Sequence, residues 1–597
     1  MMRAKAFLWL GISILLATST SGLVFGKTIY VNGSCGNNSW SGLDPNCLAP
    51  NGPKATIQAG IDVAEPADIV RVASGLYTGT GNRDIDFRGK AITLQSEAGP
   101  ETCIIDCQGS ETNPHRGFDF QNGEDENSIL DGFTIKNGYG PNILDGRYTY
   151  SVGGGIYCYD CSPKIVNCIV TNNIAVHYGG GIYFRLGSPT LQNCIISTNK
   201  VNGDGGGVWY GYGTPIMDSC TIINNTAYEG GGIRSWHANV IIRNSVIASN
   251  HASFGGGGHF NFCYPTIIDS VIIDNYSVKG GAFYFDYDSY PKLINCLIYK
   301  NAAKYGGALS GWDCTPMITN CTFSSNNATY TGGCIHINHD CNWKITNCIM
   351  WGDTANHGNE IGFEYYSSGG RINVSYSNVA GGRSGVFGSG YGIINWGAGN
   401  VDINPGFNVS ENDYHIGPGI FQIIDAGTHS VPVVLPDLDL EGNPRIIDGD
   451  KNGIDKIDMG AYESYPTEEP AIAVSAWEFD FFANENGSNP DQQILRMWNG
   501  GGQTINWQIN YDCSWLTVEP INGSITDDLS EVVLSVDITS LPKGKYSCEL
   551  ILSDTNAVNS PQIIKINLLV LGPVIYISDQ TMEFSAIQYG SNPVNQT

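Results

Sequence analysis

Clusters of glycine begin at Gly153, Gly179, Gly205, Gly230, Gly255, Gly280, Gly306 and Gly332, each 25 or 26 residues after the one before. A second row keeps the same step: Cys168, Cys194, Cys220, Ser245, Ser270, Cys296, Cys321 and Cys348. Five residues after its members stand Asn173, Asn199, Asn225, Asn250, Asn275, Asn301, Asn326 and finally Asp353. Two residues after each stands an apolar side chain, from Val170 and Ile196 to Phe323 and Met350. Self-similarity at a fixed period of this size is the mark of a solenoid, in which each unit buries its apolar face only against its neighbours.

The units hold short β-branched segments punctuated by Gly, Pro and Asn, without a helical period, so helical repeats are excluded. Three short strands and three turns per unit describe a parallel β-helix whose coils stack about 4.8 Å apart. Stacking sets equivalent side chains in ladders. Cys or Ser fits a narrow interior corner, and β-branched residues fill the flat faces. Asn is expected to take the left-handed turn and to pair its amide from coil to coil. The glycines permit turns that a Cβ would obstruct. The cysteine row reads as a buried thiol ladder, with disulfides between neighbouring coils as the alternative. Cys35 with Cys47, Cys103 with Cys107, and Cys513 with Cys548 are the expected bridges.

The N-terminus bears on location. Met1-Met2-Arg3-Ala4-Lys5, an apolar run from Ala6 to Ala17 and small residues up to Gly26 read as a signal peptide over residues 1–26. No later run reaches the roughly 18 apolar residues of a spanning helix, so no transmembrane span is expected. The chain is read as secreted or at the cell surface. A formal net charge of -27 repels phosphate backbones and argues against a nucleic-acid partner.

The units "GGGIY" and "FSSN", the latter Phe323 to Asn326, resemble the repeats of polymorphic outer membrane protein-like β-helices. The opening "TIYVNGSCGNNSW" through "ATIQAGIDVAEPADIVRVASGLYTG" resembles the N-terminal cap of secreted right-handed β-helix proteins, a family that includes pectate lyases. The resemblance implies a capping helix over "ATIQAGIDVA", a first strand over "DIVRVASGLY", and a right-handed parallel β-helix over residues 27–400.

Residues 401–464 carry "DYHI", "IIDAG", "NPR" and "DMGAYE" and resemble the closing segment of choice-of-anchor Q-type surface proteins. Within it, Asp448, Asp450 and Asn452 before Gly453 have the oxygen spacing of a calcium loop. Met459 stands where an EF-hand wants Glu, so a variant site using Asp455 or Asp458 is expected, with an acidic Asx-rich turn as the alternative. No cofactor other than this Ca2+ is implied. A linker over 465–471 leads to alternating strands over 472–573, which read as an immunoglobulin-like β-sandwich. Trp515, Leu516, Val518, Pro520 and Gly523 resemble the signature of BACON-like domains, which implies carbohydrate or mucin binding. Residues 574–597 repeat the start of that sandwich, so the expectation is a truncated second copy, with any anchor beyond it.

The fold class is therefore all-β, a right-handed parallel β-helix followed by an immunoglobulin-like sandwich. No familiar catalytic motif occurs. The residues after the glycines form two rows expected on one outward face, with Phe184, Tyr210, Phe260 and Phe285 between them pointing inward. Tyr157, Tyr183, Trp209, Trp236, Tyr284 and Trp312 on that face are candidates for binding a polysaccharide or other glycan, since sugar rings stack on flat apolar surfaces. The alternative is a set of cross-coil ladders that stabilise the solenoid. Arg234, His259, Asp286, Asp288 and His336 are the only suggestive catalytic cluster, with Asp286 and Asp288 on one strand face. They would serve a polysaccharide lyase or a glycoside hydrolase. The regular repeat, with no long loop inserted to build a cleft, favours non-catalytic glycan binding.

Overall fold

The computed structural model describes residues 26–364, 369–388 and 390–572. The expected signal peptide, apart from Gly26, and the expected second sandwich copy lie outside them. Three long parallel sheets, of 14, 12 and 11 strands, wind together as a β-solenoid. One coil contributes Ile156–Tyr159, Lys164–Val166 and Ile169–Thr171, and the next contributes Ile182–Arg185, Thr190–Gln192 and Ile195–Ser197. Registers are the repeat itself: Ile156 pairs with Ile182, Ile165 with Leu191, and Val170 with Ile196. These inward residues join one apolar core that extends from Ile29 to Val386. Phe184, Tyr210, Phe260 and Phe285 point into it, as their row implied.

The asparagine row forms a continuous ladder. Asn199 Nδ2 donates to Asn225 Oδ1 at 3.1 Å and to Val170 O at 2.9 Å, while its backbone N–H donates to the same Asn225 Oδ1 at 2.9 Å. The pattern runs from Asn173 to Asn326 and ends on Asp353. One expectation needs correction: the left-handed turn is made by the preceding residue, Asn172 (φ 55°), Thr198 (57°) or Asn224 (59°), so turn and amide pairing fall on adjacent positions. The first glycine of each cluster is also left-handed. At Gly179 (φ +63°) a Cβ would lie 2.4 Å from Ile182 O.

The cysteine row is a file of buried free thiols. Cys35–Cys47 and Cys513–Cys548 are disulfides. Cys103 and Cys107 are not: both are buried free thiols. Cys103–Asp106 is a strand, and four extended residues span about 13 Å, beyond the roughly 7 Å limit for a bridge.

The N-terminal end is closed by a short helix, Ile57–Val63, whose Thr56 side chain accepts from Ala59 N–H and whose Ile57 and Ile61 are buried. The first strand is Thr28–Val31, which pairs in parallel with Ile69–Val72, so "DIVRV" is the second rung, not the first. At the other end, Val401 and Ile403 stack on Asn378 of the coil before them, and the segment then runs back along the flank of the solenoid. Asn347 donates to Thr428 O at 2.9 Å and Asn320 to Asp458 O at 3.1 Å, and Asn295 accepts from Arg445. The "NPR" and "DMGAYE" motifs meet there: Arg445 lies 2.7 Å from Glu463, both buried, and Glu463 Oε2 accepts from Asp458 N–H.

The C-terminal domain packs a four-stranded against a five-stranded sheet. Trp507, Leu516 and Val518 are buried in its core. A Cβ at Gly523 would stand 2.7 Å from the Trp507 ring, which explains the glycine of the "WLTVEPINGS" stretch. Among the described residues no helix is long and apolar enough to cross a membrane.

Candidate functional site

Two outward rows form a trough along the solenoid. One is the row after the glycines, Tyr157, Tyr183, Trp209, Arg234, His259 and Tyr284, held in register by the sheet. The other is the residue before each glycine cluster: Tyr178, Asp204, Glu229, Phe254, Lys279 and Tyr305, joined by single parallel bridges. Side chains meet across the glycine corner. Tyr178 lies 5.4 Å from the Trp209 ring, and Phe254 lies 5.6 Å from Tyr284.

The expected aromatic face divides in two. The Arg116 guanidinium sits 4.5 Å over Tyr157. Tyr157 stacks on Tyr183 at 5.6 Å and Tyr183 on Trp209 at 4.6 Å, their planes nearly parallel. Tyr157, Tyr183, Trp209 and Tyr284 are each at most 6% exposed. As an open platform the row is corrected: these four rings are mainly a cross-coil ladder. Trp236 is half-buried and Trp312 is exposed, stacked on His339 at 5.5 Å.

Tyr157, Tyr183 and Trp209 are covered by an insertion that the regular repeat concealed. Asn142–Asp145 and Tyr148–Ser151 form an antiparallel hairpin, and its Ile143 and Tyr150 pack against the stack. Asp145 pairs with Arg185 across the opening. Hairpin and rows together enclose a hollow of about 280 Å³ lined by Asp145, Tyr178, Tyr183, Arg185, Asp204, Trp209, Arg234 and Trp236. The expectation of no inserted cleft-building loop is thus overturned.

Next to the hollow lies a charged chain. Glu229 Oε2 is 3.2 Å from Arg234 Nε and 3.1 Å from His259 Nδ1. His259 Nε2 is 3.0 Å from Asp286 Oδ1, which also accepts from Asn261 at 2.7 Å. Burial and Arg234 push the His259 pKa down, but Asp286 and Glu229 on its two nitrogens outweigh them and the net shift is upward. Burial pushes Glu229 up, and His259 and Arg234 more than reverse this, drawing it to about 2. Its bridge neighbour Asp204 goes the other way: burial, then the Glu229 charge, raise it to about 6.

Arg234, His259 and Asp286 are therefore brought together, and two other candidates are not. Asp288 is exposed at φ 55°, in a bulge that breaks the register after Asp286, so the two carboxylates do not share a face. His336 is buried between Ser310 at 3.0 Å and Glu364 at 3.2 Å, away from the hollow, and burial lowers its pKa. Asp204 and Glu229 were missed, although their row was readable as the residue before each glycine cluster.

In the segment running back along the flank, Asp448 and Asp450 do come together, with Asp425 as third member: one oxygen of each lies within 4.8 Å of the others. Asn452 donates its N–H to both Asp448 and Asp450, an Asx arrangement. Asp455 is exposed. Asp458 is committed elsewhere, accepting from the N–H groups of Asp425 and Ser464, each at 2.7 Å.

A family model described as "Right handed beta helix region" matches residues 190–354. No curated protein sequence matches significantly. Similar solved structures include a Bacteroides ovatus GH5 xyloglucanase in complex with a XXXG heptasaccharide, at 15% identity over 18% of this chain and a TM-score of 0.14. The chain spans 20% of that enzyme's length. The ASH/PapD-like domain of human CEP192 is 12% identical over 19% of this chain and 92% of its own, with a TM-score of 0.15. At these scores neither likeness bears on function. What the solenoid and the family model agree on is architecture: this chain contains a right-handed parallel β-helix, a fold common to surface proteins and polysaccharide-acting enzymes.

Proposed function

We propose that the chain is an exported β-helix protein that binds an extended polysaccharide or other cell-envelope glycan along the trough, with the hairpin-walled hollow as its main subsite. The observation that carries this reading is the meeting of aromatic surface and convergent charge: Trp236 and Tyr178 beside Arg185, Arg234 and Asp204. Flat rings suit the apolar faces of sugars, and charged donors and acceptors suit their hydroxyls or carboxylates. A BACON-like role for the sandwich would add a second glycan-binding module. Affinity electrophoresis through gels containing candidate polysaccharides tests it. Retardation of the wild type, lost in Trp236→Ala and Arg185→Ala without loss of folding, is the expected result. A wild type unretarded in every gel overturns the reading.

A second reading, hydrolysis of the bound glycan, is favoured by the opposed shifts of Asp204 and Glu229. Between pH about 2 and about 6, Glu229 is ionised while Asp204 keeps its proton. That is the division of labour of a glycosidase pair, one carboxyl protonating the leaving oxygen and one carboxylate acting as base or nucleophile. A lyase fits less well, because Arg234 and His259 are both tied to Glu229. New reducing ends at pH near 5, abolished by Glu229→Gln, would support hydrolysis. Unsaturated products absorbing in the ultraviolet would point to a lyase instead.

A further inference from the structure

We propose that Asp425, Asp448 and Asp450 form a calcium site that fastens the flank segment at its join with the sandwich. The three carboxylates come from two separate turns, yet one oxygen of each lies within 4.8 Å of the others. Asp425 is only 4% exposed. Its Oδ2 accepts the Asp450 N–H at 2.8 Å, while its Oδ1 is buried with no hydrogen-bond partner. A buried, unpartnered carboxylate oxygen beside two further carboxylates is costly unless a proton or a cation shares the space.

Protein cations do not supply that charge. Among the described residues no Lys, Arg or His lies within ion-pair distance of these three carboxylates. The nearby bases are committed elsewhere: Lys451 Nζ donates to Gly501 O, and Arg445 is paired with Glu463. Every donor in the cluster is an oxygen, which selects a hard cation over zinc or copper. Carboxylates from two separate turns, with water completing the shell, suit the irregular coordination of Ca2+ better than the strict octahedron of Mg2+.

The position gives the ion a mechanical role. The carbonyl of Asp450, one ligand residue, accepts from Trp498 Nε1 of the sandwich at 2.7 Å. Fixing Asp450 therefore fixes the seat of Trp498, and with it the contact between the two parts of the chain. The EF-hand-like spacing in the sequence brought in two of the three ligands. The third, Asp425, stands more than twenty residues earlier, and folding alone brings it in.

Trp498 also supplies the test. Terbium, which takes calcium sites, emits when a nearby indole absorbs light and passes on the energy. On the full chain we expect saturable terbium emission at one ion per molecule, displaced by Ca2+ at much lower concentration than by Mg2+. Asp425→Asn should weaken binding by at least about tenfold, as expected for loss of one charged ligand, whereas the exposed neighbour change Asp455→Asn should not. Chelator should lower the melting temperature of the wild type and leave that of Asp425→Asn unchanged. Absence of saturable emission and of Ca2+ heat in calorimetry, or an Asp425→Asn titration that matches the wild type, overturns the proposal. Should Asp425→Asn fail to fold, Asp448→Asn replaces it in the same titration.

Discussion

Asn326 Nδ2 donates to Asp353 Oδ1 at 2.9 Å, so the asparagine ladder ends on a carboxylate. Beyond it lies a second buried acid, Glu360, and one oxygen of each has no hydrogen-bond partner. Burial pushes Asp353 up from 3.8 to about 6, and burial together with the Asp353 charge pushes Glu360 up as well. Because both folded values are raised, their contribution to stability is complete below the unfolded values and is lost as pH rises through the folded ones. The melting temperature should therefore fall between pH 4 and pH 8. Asp353→Asn, which continues the ladder, should flatten that fall and raise stability at pH 8 by about 1–3 kcal/mol, the cost of an unsatisfied buried polar group. Thermal melts across pH check both.

Within the ladder, Asn225 Oδ1 accepts from both Asn199 groups, and its Nδ2 donates to Ile196 O and Asn250 Oδ1. Asn225→Ala takes the acceptor from the buried Asn199 N–H and a donor each from Ile196 O and Asn250 Oδ1, on the coils to either side. Urea denaturation should show a loss of about 3 kcal/mol or more. A loss below about 1 kcal/mol would mean that water repairs the gap.

The ring stack and the half-buried indole beside it should part company under mutation. Trp209→Ala removes a ring held 4.6 Å from Tyr183 and should cost about 3–5 kcal/mol in stability. Trp236→Ala should change the melting temperature little and weaken glycan retention. Equal effects of the two on both measurements would refute the division of the row.

Arg445 and Glu463, 2.7 Å apart and buried, fasten the flank segment. Removing one partner of such a pair typically costs about 3–5 kcal/mol, since here the buried Glu463 Oε1 loses the donor it accepts from. Arg445→Ala should therefore release residues 401–464, seen as new sites of limited proteolysis there while the coils before Asn295 stay resistant.

What the sequence disclosed and what it hid follow from the range of the interactions. Coil boundaries, the thiol file, the amide ladder and the inward Phe184 row were legible because each recurs every 25 or 26 residues and needs only its nearest neighbour. The trough was half legible. The Arg234 row was seen, but Asp204 and Glu229 gain meaning only where two rows meet at the glycine corner. The hairpin at Asn142–Ser151 breaks the period once, so no repetition announced it. Asp425 with Asp448, and Arg445 with Asn295, depend on a long-range return of the chain that no local pattern encodes.

That return has a consequence for how the molecule comes apart. A stack of coils joined only to neighbours frays from its free end, one rung peeling after another at similar cost. Here three rungs near that end are stitched across: Asn347, Asn320 and Asn295, on three successive coils, are all bound by the same returning segment. None of these coils can peel until the stitch lets go, and once it does they go together. The C-terminal end should therefore behave as a ratchet with one catch, opening as a block at a single threshold where an unstitched solenoid would unzip gradually.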